Sequence, residues 1–201
     1  MKNMKSCIIY LTRHGETEWN EKKLVQGHTD IPLNKKGVEQ AKQLGRELKN
    51  IHFEAVFSSD LLRAKDSAKI IVLGKGLSIV LTNALRERFF GRFEGRSLDE
   101  LRKALGETMV VPKEKQENLK LNDVENDEGI ISRLVPFMKR VASTHLGKNV
   151  LMVTHGGLLR AFLSYLNFKI PKFSEKPLKN TGYLIIESDG KEFEIKEERL
   201  F

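Results

Sequence analysis

Short apolar runs alternate along the chain with segments in which apolar positions recur every three or four residues. Four runs, residues 7–12, 55–58, 77–81 and 150–153, are bounded by charged or turn-forming residues, which is typical of buried strands. The intervening segments have the period of amphipathic helices, whose apolar side faces a core. The pattern therefore predicts strands and helices in alternation.

Helix boundaries are indicated by capping residues. Asn34 is placed to cap a helix over about residues 35–49, whose apolar face comprises Ala41, Leu44, Gly45 and Leu48. We expect a second helix to open at Ser59 or Asp60 and run to about residue 73, and a third to begin at the S-x-x-E sequence starting at Ser97. Two further helices are predicted from the apolar positions Leu134, Phe137, Met138 and Val141, and from Leu158, Leu159, Phe162, Leu163 and Leu166.

The end of the chain differs from the alternating part. Residues 182–187 and 192–197 are predicted to form a hairpin around Asp189-Gly190, and residues 108–128 are polar enough to be the least ordered segment. Strands that alternate with helices predict an α/β fold. We expect a three-layer α/β/α sandwich with a mostly parallel central sheet, formed by residues 1–201 as a single domain.

Composition limits the class of protein. Of 201 residues, 40% are hydrophobic and 31% charged, which suits a globular domain with one sizeable core. No run approaches the ~20 apolar residues of a membrane helix, and the first apolar run lacks the length and cleavage site of a signal peptide. The lone Cys7 lies in the first predicted strand, where a buried, inert thiol is expected. A cytoplasmic protein without a membrane partner is predicted.

The net charge of +8 has several possible explanations, among them a nucleic acid or a small anionic ligand. Lysines are spread over the whole chain and alternate with acidic residues, as over residues 112–128, which indicates a solvated surface rather than a basic stripe. Three Tyr and one Trp provide little for stacking on bases. No nucleic-acid partner is therefore expected.

Two His-Gly turns carry the candidate chemistry. Arg13-His14-Gly15 follows the first predicted strand, and His155-Gly156-Gly157 follows the strand at 150–153. A single histidine after a strand is more often structural than catalytic, but ligands of open α/β sheets bind beyond the carboxyl ends of strands, where two such turns would meet. The second turn also opens a helix, whose free N–H groups favour an anion.

Two other charged residues follow predicted strands. Arg63 lies in the first turn of a helix, and its planar guanidinium suits phosphate oxygens, although an exposed helix arginine is the simpler interpretation. Glu87 lies among arginines ahead of a Gly/aromatic loop, where a surface ion pair is the simpler interpretation. No H-E-x-x-H or C-x-x-C motif is present, and we expect neither a metal nor another cofactor.

These blocks together resemble the histidine phosphatase superfamily, in its phosphoglycerate-mutase-like branch. The similarity spans nearly the whole chain in the right order, and the stretch Leu-Thr-Arg-His-Gly-Glu-Thr-Glu-Trp-Asn is highly specific. The blocks that match are residues 11–20, the loop at Gly27, Arg63, Glu87 and His155-Gly156.

The resemblance implies a role for each of these residues. His14 would attack phosphorus and form a phosphohistidine, and Glu87 would protonate the leaving oxygen and then take a proton from the acceptor. The phosphoryl oxygens would be held by Arg13, Asn20, Arg63 and His155, with weaker contacts from Gln26, Gly27 and the turn at Gly156.

The resemblance leaves the acceptor open. Mutases of this family usually carry a longer insertion than residues 96–128 provide, and the chain ends directly after its last hairpin, so a phosphatase is favoured over a phosphoglycerate mutase. A non-catalytic phosphate sensor or a nucleic-acid-binding module ranks lower. The expected partner is a small phosphorylated metabolite, and a homodimer is left open.

The substrate is less defined than the reaction. Phosphoserine, a ribazole phosphate, a sugar bisphosphate and broad activity are all compatible with the sequence. The residues Asn126-Asp127-Glu128-Gly129 lack the serine found in many relatives at a place that borders the substrate. Arginines near Glu87 would either bind a second anionic group or be solvated; they are Arg86, Arg88, Arg92 and Arg96.

Overall fold

The computed structural model describes residues 6–106, 111–118, 122–169 and 178–201. Within them, each of the first four strands is followed by one or more helices, and two strands end the chain order. The strands are β1 (Cys7–Arg13), β2 (Phe53–Ser59), β3 (Ile79–Thr82), β4 (Asn149–Thr154), β5 (Tyr183–Ser188) and β6 (Phe193–Glu198). The helices are α1 (Glu18–Glu21), α2 (Lys35–Glu47), α3 (Leu62–Ile71), α4 (Leu98–Leu105), α5 (Lys113–Asn118), α6 (Asp127–Thr144) and α7 (Gly156–Tyr165).

The six strands form one sheet in the order β3-β2-β4-β1-β5-β6. β3, β2, β4 and β1 are parallel, whereas β5 runs antiparallel to β1 and β6 antiparallel to β5. The expectation of a mostly parallel sheet is therefore only partly right, and the sheet is mixed. The tight turn at Gly190, with φ +89°, returns β6 beside β5, because a short turn joins only antiparallel neighbours.

Helices cover both faces of the sheet, which gives the three layers expected from the sequence. Successive residues of β4 point to opposite faces: Val150 and Met152 pack with α6 and α7, and Leu151 and Val153 pack with α2 and α3. Each fully buried aliphatic side chain contributes about 1.5–3 kcal/mol to folding. Because helices cover both faces of β4, the strand is a continuous apolar run.

Helix starts follow the predicted caps in two cases and differ in a third. The side chain of Asn34 accepts a hydrogen bond from Gly37 N, and that of Ser97 accepts one from Glu100 N. The helix after β2 begins at Leu62 rather than at Ser59 or Asp60, because the Asp60 carboxylate pairs with Arg86 at 2.7 and 2.6 Å and is not available as a cap.

The polar segment 108–128 falls partly outside the described residues, and its described part contains α5. None of the described helices combines the length and the apolar character needed to cross a membrane.

The strand register determines where the site forms. Arg13 is the register partner of Thr154, so β1 and β4 end side by side, and β2 pairs with the other side of β4. The residues that follow these strands, His14 and His155, therefore emerge next to each other at one edge of the sheet.

Candidate active site

His14 and His155 lie side by side at the carboxyl ends of β1 and β4. Their ring centroids are 5.1 Å apart, and both side chains are buried. The backbone N–H of His14 donates to the carbonyl of Thr154 at 2.9 Å, which ties the two turns together. The meeting expected from the two His-Gly turns is thus observed.

The hydrogen bonds of His14 define its tautomer. Nδ1 lies 2.6 Å from the carbonyl oxygen of Gly15, which can only accept, so Nδ1 carries the proton. Nε2 then carries the lone pair and accepts a hydrogen bond from Arg63 Nε at 3.3 Å. Burial, followed by the positive charges of Arg63 and Arg13, holds the pKa of His14 well below its ordinary value. The buried ring is therefore held in its neutral form.

Arg63 is a buried cation rather than an exposed helix residue. Its guanidinium is 0% exposed and donates to the carbonyls of Thr29 at 3.0 Å and Gly27 at 2.7 Å. Burial lowers the pKa of Arg63 to about 10, so the group remains charged at neutral pH. A fixed positive charge beside His14 Nε2 suits a phosphoryl group.

The loop that receives Arg63 is organised by Glu94. Its carboxylate accepts from His28 N at 2.9 Å and from the N–H and hydroxyl of Thr29 at 3.0 and 2.7 Å. Gly27 has φ +53°, and a Cβ there would lie 2.0 Å from Glu94 Oε1. The carbonyl of Gly27 is used by Arg63, so its part in the site is to anchor that cation.

Arg13 lies beside the pocket on the end of β1. One of its terminal nitrogens donates to the carbonyl of Leu178 at 2.6 Å, and its Nε is buried without a hydrogen-bond partner among the described residues. A Cβ on Gly156 would lie 3.4 Å from that Nε, so the glycine keeps the approach to the guanidinium open.

Both ring nitrogens of His155 are buried and lack a hydrogen-bond partner within the described part of the chain. Buried polar atoms are nearly always paired in folded proteins, so such a ring indicates a ligand position. Burial, with Arg63, His14 and Arg13 nearby, holds the pKa of His155 well below its ordinary value. A neutral ring can donate one N–H to a bound oxygen.

The side-chain carboxylate of Glu87 lies at the N-terminus of α7. Its Oε1 accepts from Arg88 N at 2.7 Å and Leu158 N at 3.0 Å, and its Oε2 from Gly157 N at 3.1 Å. The helix N–H groups that the sequence assigned to an anionic ligand are thus used by this carboxylate. A Cβ on Gly157 would lie 2.5 Å from Oε1, so only glycine permits the approach.

Two amide side chains complete the polar part of the pocket. Asn20 Oδ1 accepts from Thr17 N at 3.1 Å, and Gln26 Oε1 accepts from Thr17 Oγ1 at 3.0 Å. Both residues line the pocket, and neither amide nitrogen donates a hydrogen bond to another described residue. The two nitrogens are therefore available as donors to a ligand.

All the predicted site residues except His155 line one pocket of about 80 Å³. His155 lies next to His14, and the ring centroids are 5.1 Å apart. The apolar part of the lining consists of Leu24, Val25, Phe90, Leu98, Leu101 and Leu178.

Arg160 on α7 also lines the pocket and was missed in the sequence. It is 3% exposed, and burial together with Arg13 lowers its pKa to about 10. An arginine within the apolar positions of the predicted last helix was the signal that could have revealed it.

The arginines near Glu87 each form an ion pair with an acidic group: Arg86 with Asp60, Arg88 with Asp127, Arg92 with Asp123 and Arg96 with Glu100. The side chains of Arg92 and Arg96 are also 51% and 60% exposed, which agrees with the solvated alternative for these two. Arg88 is fully buried and also donates to the carbonyl of Glu125 at 2.6 Å. The segment 126–129, which lacks the expected serine, has its own function, since Asn126 caps α6 and Asp127 receives Arg88.

Within the described residues, no group of three or more His, Cys, Asp or Glu side chains is placed to hold a metal ion.

Comparisons with known proteins show the family to which the chain is similar. The family model of the histidine phosphatase superfamily (branch 1) matches residues 9–199. The chain is 32% identical to an uncharacterized phosphatase, PhoE, of Bacillus subtilis (strain 168), over 94% of this chain and 92% of that protein. It is 31% identical to a broad-specificity phosphatase of Saccharomyces cerevisiae, over 94% of this chain and 83% of that one. The crystal structure of a phosphoglycerate mutase from Bacillus anthracis superposes with a TM-score of 0.81 at 28% identity, covering 97% of this chain and 93% of that one.

Proposed function

The chain belongs to branch 1 of the histidine phosphatase superfamily, and on that premise we propose that it hydrolyses small phosphomonoesters through a phosphohistidine at His14. The observation that carries the proposal is the hydrogen bond between His14 Nδ1 and the Gly15 carbonyl. With Nδ1 donating to that carbonyl, the lone pair of Nε2 faces the guanidinium of Arg63, which would receive a phosphoryl group.

In the first step, Nε2 attacks phosphorus while the bond from phosphorus to the ester oxygen breaks. Arg13, Arg63, Asn20 and His155 hold the phosphoryl oxygens, because phosphoryl transfer depends mainly on positioning and charge. Glu87 gives a proton to the leaving oxygen. The products are a free alcohol and a phosphohistidine.

In the second step, a water molecule attacks the phosphorus of the phosphohistidine. Glu87, now a carboxylate, accepts a proton from that water, and the bond from Nε2 to phosphorus breaks. Inorganic phosphate leaves, and His14 regains its lone pair. No metal ion takes part in this proposed cycle.

Two features of the pocket favour water over a sugar-acid acceptor. Much of the pocket lining is apolar, and Arg160 is the one cationic side chain besides Arg13 and Arg63 among the described residues that line it. The pocket also shares Arg13, Asn20 and two leucines with an adjoining cavity of about 680 Å³, which gives water a route to the phosphohistidine. A mutase must exclude water at this stage.

The test is phosphate release from a panel of phosphomonoesters in EDTA, beside a phosphoglycerate mutase assay. The panel contains phosphoserine, ribazole phosphate, sugar phosphates and an aryl phosphate. We expect release without mutase activity. Mutase turnover with little release would replace the proposal with the alternative, a phosphoglycerate mutase, and phosphate binding without either activity would indicate a sensor.

His14→Ala tests the nucleophile. The variant should fold, because the ring makes only two hydrogen bonds, with the Gly15 carbonyl and with Arg63 Nε, at a pocket wall. It should lose turnover, because no other described side chain occupies the position of Nε2. Circular dichroism and the release assay check both expectations. Substantial activity in the variant would remove His14 from the mechanism.

A further inference from the structure

The peptide between Gly15 and Glu16 is held from both sides. Its carbonyl, that of Gly15, accepts the Nδ1 proton of His14 at 2.6 Å. Its N–H, that of Glu16, donates to Gln40 Oε1 at 2.8 Å. Since a backbone N–H requires an acceptor, the atom of Gln40 at this position is the oxygen. A chain of two hydrogen bonds thus runs from α2 to the catalytic ring.

We infer that Gln40 is a positioning residue for the nucleophile: it accepts from Glu16 N–H, fixes the Gly15–Glu16 peptide and thereby keeps the proton of His14 on Nδ1. The inference rests on the proposed function, because it concerns the reactivity of His14. Gln40 itself lies outside the phosphate pocket and lines the adjoining cavity.

The first turn of α2 is built for this contact. Asn34 N donates to the carbonyl of Glu16 at 3.0 Å, and Asn34 Nδ2 and Lys36 Nζ hold the Glu16 carboxylate at 3.0 and 2.8 Å. A Cβ on Gly37 would lie 2.0 Å from Glu16 O, and one on Gly15 would lie 2.4 Å from Gly37 O. The helix therefore approaches the loop backbone as closely as glycine allows, which brings Gln40 within reach of Glu16.

The hydrogen bond to Gln40 is expected to help His14 in two ways. Fixing the peptide plane keeps the Gly15 oxygen in line with Nδ1, so the lone pair of Nε2 stays directed into the pocket. Donation from Glu16 N–H also polarises the same peptide, which makes its carbonyl a stronger acceptor. Neither part alters the groups that hold the phosphoryl oxygens, so substrate binding should be largely independent of Gln40.

The experiment compares Gln40→Leu, which removes the acceptor, with Gln40→Glu, which retains an acceptor at that length. Gln43→Leu is the matched control, because Gln43 lies one turn further along α2, is exposed, and makes no hydrogen bond to the loop among the described residues. Gln40→Met serves as a second variant without an acceptor if Gln40→Leu does not fold. The probe is an aryl phosphate in single turnover.

We expect Gln40→Leu to form the phosphohistidine about tenfold more slowly with an unchanged KM, a smaller loss than the ~10²-fold that a 1 Å misplacement of a reacting group causes. Gln40→Glu and Gln43→Leu should retain nearly the full rate. In addition, ¹⁵N NMR of the histidine rings should show Nδ1 of His14 protonated in the unmodified protein and a mixture of tautomers in Gln40→Leu.

Two results would overturn the inference: equal rates in Gln40→Leu and Gln43→Leu, or an unchanged tautomer in Gln40→Leu. A loss in Gln40→Leu that Gln40→Glu does not restore would also count against it. Failure of the unmodified protein to form a phosphohistidine would instead contradict the proposed function, and the NMR comparison would still test the hydrogen-bond chain.

Discussion

At the scale of single residues, the reactivity of His14 depends on one proton. The Gly15 carbonyl assigns it to Nδ1, and the positive charges of Arg63 and Arg13 oppose the uptake of a second proton at Nε2. Arg63 both points at Nε2 and is buried, so its charge acts with little screening by water. In the proposed reaction, the same cations would attract the substrate and keep the His14 ring neutral.

Glu87 gives a prediction at this scale. Glu87→Gln should slow phosphohistidine formation from alkyl phosphates by about 10²–10⁴-fold, the usual contribution of a general acid. An activated aryl phosphate should be affected far less, since its leaving oxygen needs no proton. The measurement is the first-turnover rate on both esters.

Equal losses on the two esters would show that Glu87 is not the acid. Circular dichroism on Glu87→Gln is the necessary control, because the carboxylate also accepts three backbone N–H groups.

At the scale of elements, the sequence predicted those features that depend on neighbouring residues along the chain. Apolar runs predicted the strands, Asn34 predicted the start of α2, and the His-Gly turns predicted that the two histidines follow strand ends. Contacts between distant segments were not visible, because periodicity gives the face of a helix but not its partner. The acceptor of Glu16 N–H, Gln40 on α2, is a case of this kind.

The buried arginines show the same limit. Arg63, expected as an exposed helix residue unless functional, is fully buried because the loop 27–29 folds over it. For Arg88, the sequence left ligand binding and solvation open, and the structure pairs its guanidinium with the carboxylate of Asp127 on another element. The sequence shows that an arginine is charged, but it does not indicate which acidic group or carbonyl the fold will bring to that arginine.

Gly37 gives a prediction for the contact between α2 and the nucleophile loop. Glycine inside a helix normally costs about 0.5–1 kcal/mol relative to alanine. In Gly37→Ala, however, the new Cβ would lie 2.0 Å from the backbone oxygen of Glu16, and overpacking typically costs about 1–3 kcal/mol. We therefore expect lower stability in urea unfolding together with a lower kcat.

Gln43→Ala, an exposed change on the same helix, should stay within about 0.5 kcal/mol of the unmodified protein. A Gly37→Ala variant that is more stable and fully active would mean that α2 does not hold the loop in the way described.

At the scale of the whole molecule, the sheet brings together residues from opposite ends of the chain. β4, formed late in the sequence, pairs with both β1 and β2, so the residues after these strands share one edge. The mixed part of the sheet lies beyond β1, and the parallel part carries the histidines. The antiparallel hairpin was predicted, but its attachment to β1 was not, because strand order is not contained in local periodicity.

Burying two histidines at this edge makes stability depend on pH. The pKa values of His14 and His155 are held well below those of the unfolded chain, which lie near ~6.5. Below about pH 6.5 the unfolded chain therefore binds protons that the folded chain does not, and the free energy of unfolding must fall as the pH falls. The limiting slope is about 1.4 kcal/mol per pH unit for each histidine.

Urea unfolding between pH 7.5 and 5, in buffers without phosphate, measures this slope. Carboxylates with lowered pKa values, such as those of Glu16 and Asp60, affect the free energy of unfolding mainly below about pH 4.5. The slope between pH 7.5 and 5 therefore reports on the histidines. His14→Ala and His155→Gln should each lower the limiting slope by about 1.4 kcal/mol per pH unit, which is the contribution of one proton. If the slope were the same in both variants as in the unmodified protein, the two rings would not be held neutral, and the lone pair proposed as the nucleophile would require another explanation.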